Sequence, residues 1–293
     1  MWCSQRSFGG DSRSPHRVAA MALAACLSVV CADPGADAGA VARRVDSVRS
    51  TVDRGTVIRL VPRVIATYPH DPDASTQGLL WHDGWLYEST GLWGRSSLRR
   101  VDLATGRVDQ RVELDQSLFG EGLARVGQSL VQLTWQNGIA LRYDLGSFAV
   151  AARHTYLGEG WGLCYDRVDL WRSDGSSVLR RHDPTTFEEI GSVEVTLRGA
   201  PLTRLNELEC AEGWIYANVL QSEEIVRIDA RTGRVMAVVD ASPLPAATDR
   251  REAGVLNGIA YREETQSFFL TGKTWPMLFE VVFVEARGAG GVS

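Results

Sequence analysis

One hairpin pattern recurs five times along this 293-residue chain and limits its fold more than any other feature. Each copy is a short apolar run, a polar or glycine-containing turn, and a strand rich in aromatic and β-branched side chains, as in a β-hairpin. A repeat of this length is typical of radially arranged or stacked units. The copies begin at Gln77, Glu121, Trp161, Asn206 and Asn257, with spacings of 44, 40, 45 and 51 residues.

A second hairpin follows each of the first four copies. Its marker is an aspartate in a polar segment, and aspartate favours tight turns because its side chain accepts a hydrogen bond from the backbone two residues on. These aspartates are Asp102, Asp144, Asp183 and Asp229. Each unit therefore holds four strands, and four strands every 40 residues or so predict one blade of a β-propeller.

The sequence thus predicts an all-β fold, a five-bladed β-propeller from Val57 to Glu285. The fifth copy lacks a complete second hairpin, because only the stretch from Met277 to Glu285 follows its first. We expect the segment from Arg59 to Tyr68 to supply the missing strand, so that an N-terminal strand closes the ring and removes an exposed edge. We expect residues 286–293 to fray.

The amino-terminal segment differs in composition from the repeats. Arginines precede an uncharged run from Val18 to Ala32, which is shorter than the roughly 20 apolar residues of a membrane-spanning helix. This pattern predicts a secretory signal peptide over residues 1–32, followed by a flexible linker over residues 33–56. We favour cleavage after Ala32. The alternatives are lipoprotein-type cleavage, which would leave a lipid anchor at Cys26, and a cytosolic protein with a misassigned start codon.

Localisation and charge together restrict the partners. We expect an exported monomer, periplasmic or secreted, that does not span a membrane. The formal net charge is −5 and the 31 basic residues form no run, which argues against a nucleic-acid partner. Among those 31, only Lys273 is lysine. This marks Lys273 as a candidate functional cation, the alternative being the chance placement of one cation near a hairpin tip.

The innermost strands of a propeller line its central channel, so equivalent positions of the repeats form rings around one mouth. The five starting residues form a mostly polar first ring, to which Asn257 belongs. Residues at the end of the adjacent strand form a second ring, in which Lys273 is level with Trp135 and Leu220. Its members are Ser89, Thr90, Thr134, Trp135, Ser173, Asp174, Asn218, Leu220, Thr271 and Lys273. Apolar walls with a few polar groups predict a small-molecule site, although such groups also bond backbone or channel water.

Nine segments resemble motifs of the plant and bacterial type of glutaminyl-peptide cyclotransferase. The resemblance covers about Tyr68 to Glu280. It implies a five-bladed propeller that converts the N-terminal glutamine of peptides or proteins to pyroglutamate with release of ammonia. The segments are Tyr68–Leu79, Tyr87–Val101, Phe119–Leu123, Gln132–Trp135, Gly160–Leu163, Ser173–Ser176, Asn206–Glu209, Leu256–Tyr261 and Thr271–Glu280. The site residues carried over by motif are Gln77, Glu121, Trp135, Trp161, Asn206 and Lys273.

Cyclisation requires a proton shuttle, oxyanion stabilisation and a curled substrate. Glu121 is the only carboxylate of the first ring and is the expected shuttle, with its pKa raised by an apolar funnel. We expect Lys273 and the amides of Gln77 or Asn206 to face the oxyanion.

We expect Trp135 and Trp161 to pack on the substrate methylenes, and we assign Asn257 to substrate binding. Two positions depart from the family, because Ser75 and Leu220 stand where it often has aromatic residues. Both changes would thin the aromatic lining.

Two other functions stay open on the residues alone. One is a calcium-dependent lactonase-type propeller, because Glu121, Asn206, Asn257 and Asp174 offer oxygen ligands to a hard cation. The other is a non-catalytic exported propeller that binds a partner. The five histidines have no metal-ligand spacing, so we expect no metal in the site and no cofactor, leaving open only a structural calcium ion on the axis.

Cys164 and Cys210 lie on the innermost strands of the third and fourth blades, at positions of opposite parity. Neighbouring strands could therefore present the two side chains to each other. We expect buried free thiols, which are the commoner outcome. A disulfide is the alternative, which an oxidising compartment would permit.

Overall fold

The computed structural model describes residues 56–244 and 254–286, which form strands and turns and contain no helix. Accordingly, no helix within these residues is long and apolar enough to cross a membrane. The strands in chain order are β1 (Ile58–Pro69), β2 (Thr76–His82), β3 (Trp85–Thr90), β4 (Ser97–Asp102), β5 (Val108–Glu113), β6 (Gly120–Val126), β7 (Ser129–Thr134), β8 (Ile139–Asp144), β9 (Val150–Thr155), β10 (Leu163–Tyr165), β11 (Leu170–Arg172), β12 (Val178–His182), β13 (Glu189–Glu194), β14 (Thr196–Leu197), β15 (Ala200–Pro201), β16 (Leu205–Ala211), β17 (Trp214–Val219), β18 (Glu224–Ile228), β19 (Val235–Asp240), β20 (Leu256–Arg262), β21 (Ser267–Gly272) and β22 (Met277–Glu285).

The strands form five blades of four antiparallel strands each. Blades 1 to 4 are β2–β5, β6–β9, β10–β13 and β16–β19, and blade 5 is β20, β21, β22 and β1. The innermost strands β2, β6, β10, β16 and β20 contact one another in that order, and β20 contacts β2. The predicted five-bladed propeller is therefore confirmed.

The amino-terminal strand completes the last blade, as predicted. β1 pairs antiparallel with β22 from Leu60 opposite Glu285 to Pro69 opposite Met277. The beginning of β1 also pairs in parallel with β19, which joins the outer edges of blades 4 and 5. This second pairing was not predicted, because the side-chain pattern of a strand does not identify both of its neighbours.

The core consists of five apolar clusters in the described residues, one between each pair of adjacent blades. Between blades 2 and 3, for example, Val131 and Leu133 pack against Leu163 and Phe187. Both faces of each blade are thus covered, except at its outer strand. The outer strand β9, for example, shows a period-two alternation of exposed and half-buried residues, as expected for a sheet edge with one solvated face.

The aspartate-led hairpins form the predicted turns. The side chain of Asp183 accepts a hydrogen bond from the amide of Thr185, and that of Asp229 accepts one from the amide of Arg231, each at 2.8 Å. Asp102 and Asp144 instead accept from the amide three residues on. Each turn is therefore fixed by one short polar side chain.

Cys164 on β10 and Cys210 on β16 form a disulfide, with 5.4 Å between their Cα atoms. The expectation of free thiols was wrong and the bridged alternative is observed. The physical reason is that β10 and β16 run side by side around the axis, so positions of opposite parity face each other. The predicted signal peptide (residues 1–32), most of the predicted linker and residues 287–293 lie outside the described residues.

Candidate active site

Glycine follows four of the five first-ring residues and allows the innermost strands to approach closely. A Cβ atom on Gly122 would lie 2.4 Å from the backbone nitrogen of Leu163, and one on Gly162 would lie 2.1 Å from the carbonyl oxygen of Asn206. Such distances are far below van der Waals contact, so only glycine is accommodated there without displacing a strand. The ring of starting residues is correspondingly narrow.

Blade 4 carries Glu207 at this position instead of glycine. Its fully buried carboxylate accepts hydrogen bonds from the backbone amides of Leu79 in blade 1, at 3.3 Å, and Ile259 in blade 5, at 2.9 Å. Burial raises the pKa of Glu207 well above its usual range, and the neighbouring Glu209 adds to this effect. One side chain therefore occupies the axis below the first ring.

Hydrogen bonds between blades fix the first ring on all sides. Each bond joins one innermost hairpin to the next, and together they connect blades 1 to 2, 2 to 3, 3 to 4, 4 to 5 and 5 to 1. They run from Ser89 Oγ to the Glu121 carbonyl, Gly122 N to the Trp161 carbonyl, Ser173 Oγ to the Asn206 carbonyl, Gly258 N to Asn218 Oδ1, and Asn257 Nδ2 to the Thr76 carbonyl. The backbones of the ring residues are thereby held without using most of their side chains.

Lys273 occupies the level that its spacing predicts. In four blades the residue just beyond the second strand donates its amide to the carbonyl two residues before the first-ring position. The donors are Gly91, Trp135, Leu220 and Lys273. Lys273 therefore corresponds to Trp135 and Leu220 in the neighbouring blades, at the mouth of the ring.

The segment after Lys273 is tied to blade 1. Thr274 donates its amide to the carbonyl of Ala74 at 2.7 Å, and His70 donates its amide to that of Pro276 at 2.9 Å. The Nδ1 atom of the buried His70 lies 2.6 Å from the carbonyl oxygen of Trp275. The position of Lys273 thus depends on blades 5 and 1, which meet where the ring closes.

Glu121 and Lys273 are the two charged groups at the centre of the site. Glu121 is 6% exposed, and its carboxyl makes no hydrogen bond or ion pair within the described residues. Burial raises the pKa of Glu121 well above its usual range, the Lys273 ammonium opposes this shift, and Glu159 reinforces it. Burial lowers the pKa of Lys273, and Glu121 opposes that shift. The two groups therefore interact electrostatically without a direct ion pair.

The amide side chains of Asn206, Asn257 and Gln77 differ in their hydrogen-bond partners. The carboxamide of Asn206 is buried and has no partner among the described residues, so it is available to a ligand. Asn257 lies between blades 5 and 1, where its Nδ2 atom also lies 3.4 Å from Gln77 Oε1. The Gln77 side chain packs over Gly91, where a Cβ atom would lie 2.7 Å from Gln77 Nε2. Buried polar groups are normally bonded, so Asn206 and Glu121 are the clearest ligand-binding candidates.

Four aromatic residues of the described chain contribute apolar surface to the mouth. The Trp135 ring lies 5.5 Å from that of Phe119 and 6.4 Å from that of Trp93, between centroids. The Trp161 ring lies over Gly175, where a Cβ atom would be 2.6 Å from it. Phe119 and Trp93 were not among the residues chosen from the sequence. Phe119 lies two residues before Glu121, immediately ahead of β6, and residues two apart in an extended chain share a face, which was the signal that could have identified it.

Glu159 was also not identified from the sequence, although its position gives the same signal. It lies two residues before Trp161, and its Oε2 atom accepts hydrogen bonds from the indole nitrogens of both Trp135, at 2.8 Å, and Trp161, at 2.9 Å. Partial burial disfavours its charge, but hydrogen bonds from Trp161, Trp135 and Gln136 outweigh this and lower the pKa of Glu159. A single carboxylate therefore links the two indoles predicted to flank the substrate.

A family model described as Glutamine cyclotransferase matches residues 38–283. The chain belongs to the glutamine cyclotransferase family. It is 40% identical over 233 residues to a glutaminyl-peptide cyclotransferase of Arabidopsis thaliana, covering 78% of this chain and 73% of that protein. It also resembles the crystal structure of Myxococcus xanthus glutaminyl cyclase, with a TM-score of 0.75 and 41% identity over 79% of this chain and 100% of the other.

Membership of the glutamine cyclotransferase family does not favour the lactonase-type or non-catalytic alternatives. The calcium alternative also requires free oxygen ligands, yet Asp174 accepts hydrogen bonds from the amide and hydroxyl of Ser176 and pairs with Arg180 at 3.2 Å. Within the described residues, no group of three or more His, Cys, Asp or Glu side chains could hold a metal ion. The oxygen ligands proposed for calcium are thus partly committed to other partners.

Proposed function

We propose that this member of the glutamine cyclotransferase family converts the N-terminal glutamine of peptides and proteins to pyroglutamate and releases ammonia. The observation that carries the proposal is the buried, unpartnered carboxyl of Glu121, which interacts with the Lys273 ammonium at the mouth of the ring. The activities named for the Arabidopsis and Myxococcus proteins support it.

Glu121 acts as the proton shuttle. Its carboxylate takes a proton from the α-ammonium group of the substrate, and the free amine attacks the side-chain carboxamide carbon of the same residue. The new C–N bond gives a tetrahedral intermediate with a negative oxygen. Glu121 gives its proton to the leaving nitrogen and takes one from the attacking nitrogen. The carbon–nitrogen bond to the leaving group then breaks, which yields the lactam and ammonia, and the proton left on Glu121 passes to the ammonia and restores the carboxylate. The raised pKa of Glu121 suits both directions of transfer.

Lys273 stabilises the negative oxygen of the intermediate. Its ammonium is half-buried and has no direct ion pair within the described residues, so its charge is not neutralised before the substrate arrives. The free carboxamide of Asn206 and the amide of Gln77 bind the substrate carboxamide. Trp135 and Trp161 pack on the glutamine methylenes and favour the curled conformer that brings amine and carboxamide together.

Ammonia release from a glutamine-initiated dipeptide tests the proposal directly. We expect wild-type turnover, and we expect Glu121→Gln to lose at least ~100-fold in kcat with an unchanged Tm, because the amide keeps the shape and cannot shuttle protons. The control is Glu194→Gln, which changes an exposed carboxylate on an outer strand of blade 3. A Glu121→Gln variant that melts normally and turns over at the wild-type rate would assign the shuttle to another group.

We further propose that the enzyme acts as an exported monomer, periplasmic or secreted, with cleavage after Ala32 favoured over a lipid anchor at Cys26. The uncharged run in residues 18–32 supports export. The disulfide between Cys164 and Cys210 also supports it, because disulfides persist in oxidising compartments. Mass spectrometry of the mature chain and a sedimentation measurement test these points.

A further inference from the structure

The carboxylate of Glu159 joins two blades at the mouth of the site. Its hydrogen bonds to the indoles of Trp135 and Trp161 are called the fork below. Its Oε2 atom accepts hydrogen bonds from Trp135 Nε1 at 2.8 Å and Trp161 Nε1 at 2.9 Å, and its Oε1 atom accepts one from Gln136 Nε2 at 3.1 Å. Trp135 belongs to blade 2, whereas Glu159 and Trp161 lie on the segment that enters blade 3. The indole N–H is a donor only, so each ring has its one polar group fixed by the same oxygen atom.

The segment that carries Glu159 is itself held by a buried cation. The guanidinium of the fully buried Arg172 donates hydrogen bonds to the carbonyl oxygens of Glu159 and, at 3.2 Å, of Leu157. It also contacts His182 Nε2 at 3.1 Å and lies 4.6 Å from the centre of the Tyr156 ring. Arg172 forms no ion pair within the described residues. Its donors are bonded to two backbone carbonyls and to the His182 imidazole, so the guanidinium holds this segment in place and is not half of a charge pair.

Gly160 completes this local constraint. Its amide donates a hydrogen bond to the carbonyl of Trp135 at 2.9 Å, and a Cβ atom there would lie 2.2 Å from the hydroxyl oxygen of Tyr156. The backbone of blade 3 is thereby held against the same residue whose indole Glu159 bonds. Both ends of the fork are fixed, so the carboxylate has little freedom to release either ring.

We propose that Glu159 is a positioning residue for the cyclisation, which holds the indoles of Trp135 and Trp161 in one orientation through a single carboxylate oxygen. The proposal rests on the proposed function, because it assumes that the two rings flank the substrate glutamine. Without the fork, each indole gains other rotamers, and the substrate has to order both rings when it binds. This costs binding energy and leaves the fold intact.

The charge of Glu159 has a second effect, on Glu121. The charged and titratable groups around Glu121 are Lys273, which lowers its pKa, Glu159, which raises it, and Tyr156, which lies close enough to interact. Asp174 is the further carboxylate that acts on Glu159. Glutamine at position 159 keeps an oxygen for both indoles and removes the charge. The orientation of the rings and the electrostatic effect can therefore be separated by two substitutions.

The experiment compares Glu159→Gln with Glu159→Ala. We expect KM for a glutamine-initiated peptide to stay within twofold of wild type in Glu159→Gln and to rise at least fivefold in Glu159→Ala, with a smaller change in kcat. The exposed Gln136 amide can rotate to match the new side chain. In Glu159→Gln, the acid limb of kcat/KM should move to lower pH, because the carboxylate of Glu121 is then easier to form.

Indole N–H resonances in 15N-labelled protein provide a readout that does not depend on activity. The chain has nine tryptophans, and Trp135→Phe and Trp161→Phe identify the two signals. Both should shift in Glu159→Ala. In Glu159→Gln both should stay near their wild-type positions. Glu194→Ala is the matched control, since it removes an exposed carboxylate from an outer strand of blade 3 that forms no ion pair within the described residues, and it should change neither signal nor KM.

Three outcomes would overturn the proposal. One is a wild-type KM and unchanged indole signals in Glu159→Ala, because the fork would then hold nothing. Another is an equal rise of KM in both variants, which would mean that the charge itself binds the substrate. The third is a wild-type KM in Glu159→Ala although both indole signals shift, because the orientation of the rings would then not affect substrate binding. Absence of wild-type turnover, with the indole signals behaving as expected, would instead reject the proposed function and leave the fork intact.

Discussion

At the scale of single residues, Lys273 illustrates how position gives a side chain its chemistry. Its amide and carbonyl are bonded to Val255 and Gly254, so its Cα is fixed, and the ammonium reaches the site without a direct partner. We predict that Lys273→Arg loses most of kcat/KM for a glutamine-initiated peptide, with Tm within about 2 °C, because the wider guanidinium fork fits a confined oxyanion poorly. Arg167→Lys is the control, because it makes the opposite exchange at an exposed turn. It should leave both kcat/KM and Tm unchanged. Activity within about twofold of wild type in Lys273→Arg would mean that only positive charge is needed.

The pH dependence of activity is a second prediction at this scale. Burial raises the pKa of Glu121, and only its carboxylate can accept the proton of the substrate. Activity should therefore be lost as pH falls through this raised value, so the acid limb of kcat/KM lies above the 4.3 of an ordinary glutamate. An acid limb at or below that value, measured with the fold intact by circular dichroism, would contradict the assignment of Glu121.

The site residues show what sequence could and could not reveal. The first ring and the level of Lys273 follow from equal spacing within repeats, because strand geometry converts spacing into position. The fork made by Glu159 could not be foreseen from composition, since it joins side chains from two blades. Its only signal was the period of two along the segment before Trp161, and the same signal marked Phe119.

At the scale of the strand, the predicted hairpins, their turns and the closing strand β1 follow from local alternation and turn chemistry. The parallel pairing of β1 with β19 and the pairing of the two cysteines depend on which blades meet in space. The order of the repeats in the sequence identifies which blades are neighbours around the axis. It does not give the contacts at the outer edge, where no side-chain pattern distinguishes one partner from another.

The close approach of innermost strands gives a prediction for glycine. We expect Gly122→Ala to lower the free energy of unfolding by about 1–3 kcal/mol, roughly 2–12 °C in Tm for a domain of this size, because its Cβ would lie 2.4 Å from the Leu163 backbone. Gly146→Ala is the control, since its nearest neighbour would be 3.6 Å away. Thermal melting compares them, and equal Tm values would show that the strands separate at no cost.

At the scale of the whole molecule, the disulfide joins blades 3 and 4 across 46 residues of sequence. We predict that Cys164→Ala combined with Cys210→Ala lowers the free energy of unfolding by about 2–4 kcal/mol, through a less restricted unfolded chain. The kcat should stay within twofold, since neither residue contacts the proposed reaction centre. Urea unfolding of wild type with and without reductant gives the comparison. A reduced wild type that is as stable as the oxidised protein would show that the bridge adds nothing.

The pairing of β1 with β22 also sets the order in which the molecule can be completed. Ribosomes make β1 before any blade and β22 after all the others, so the outer strand of blade 5 waits for nearly the whole of synthesis. Blades 1 to 4 hold mostly local hairpin contacts, whereas this last pairing spans the described chain from end to end. Pairings between such distant segments are slow to form. Blade 5 is therefore completed only after β22 has been synthesised.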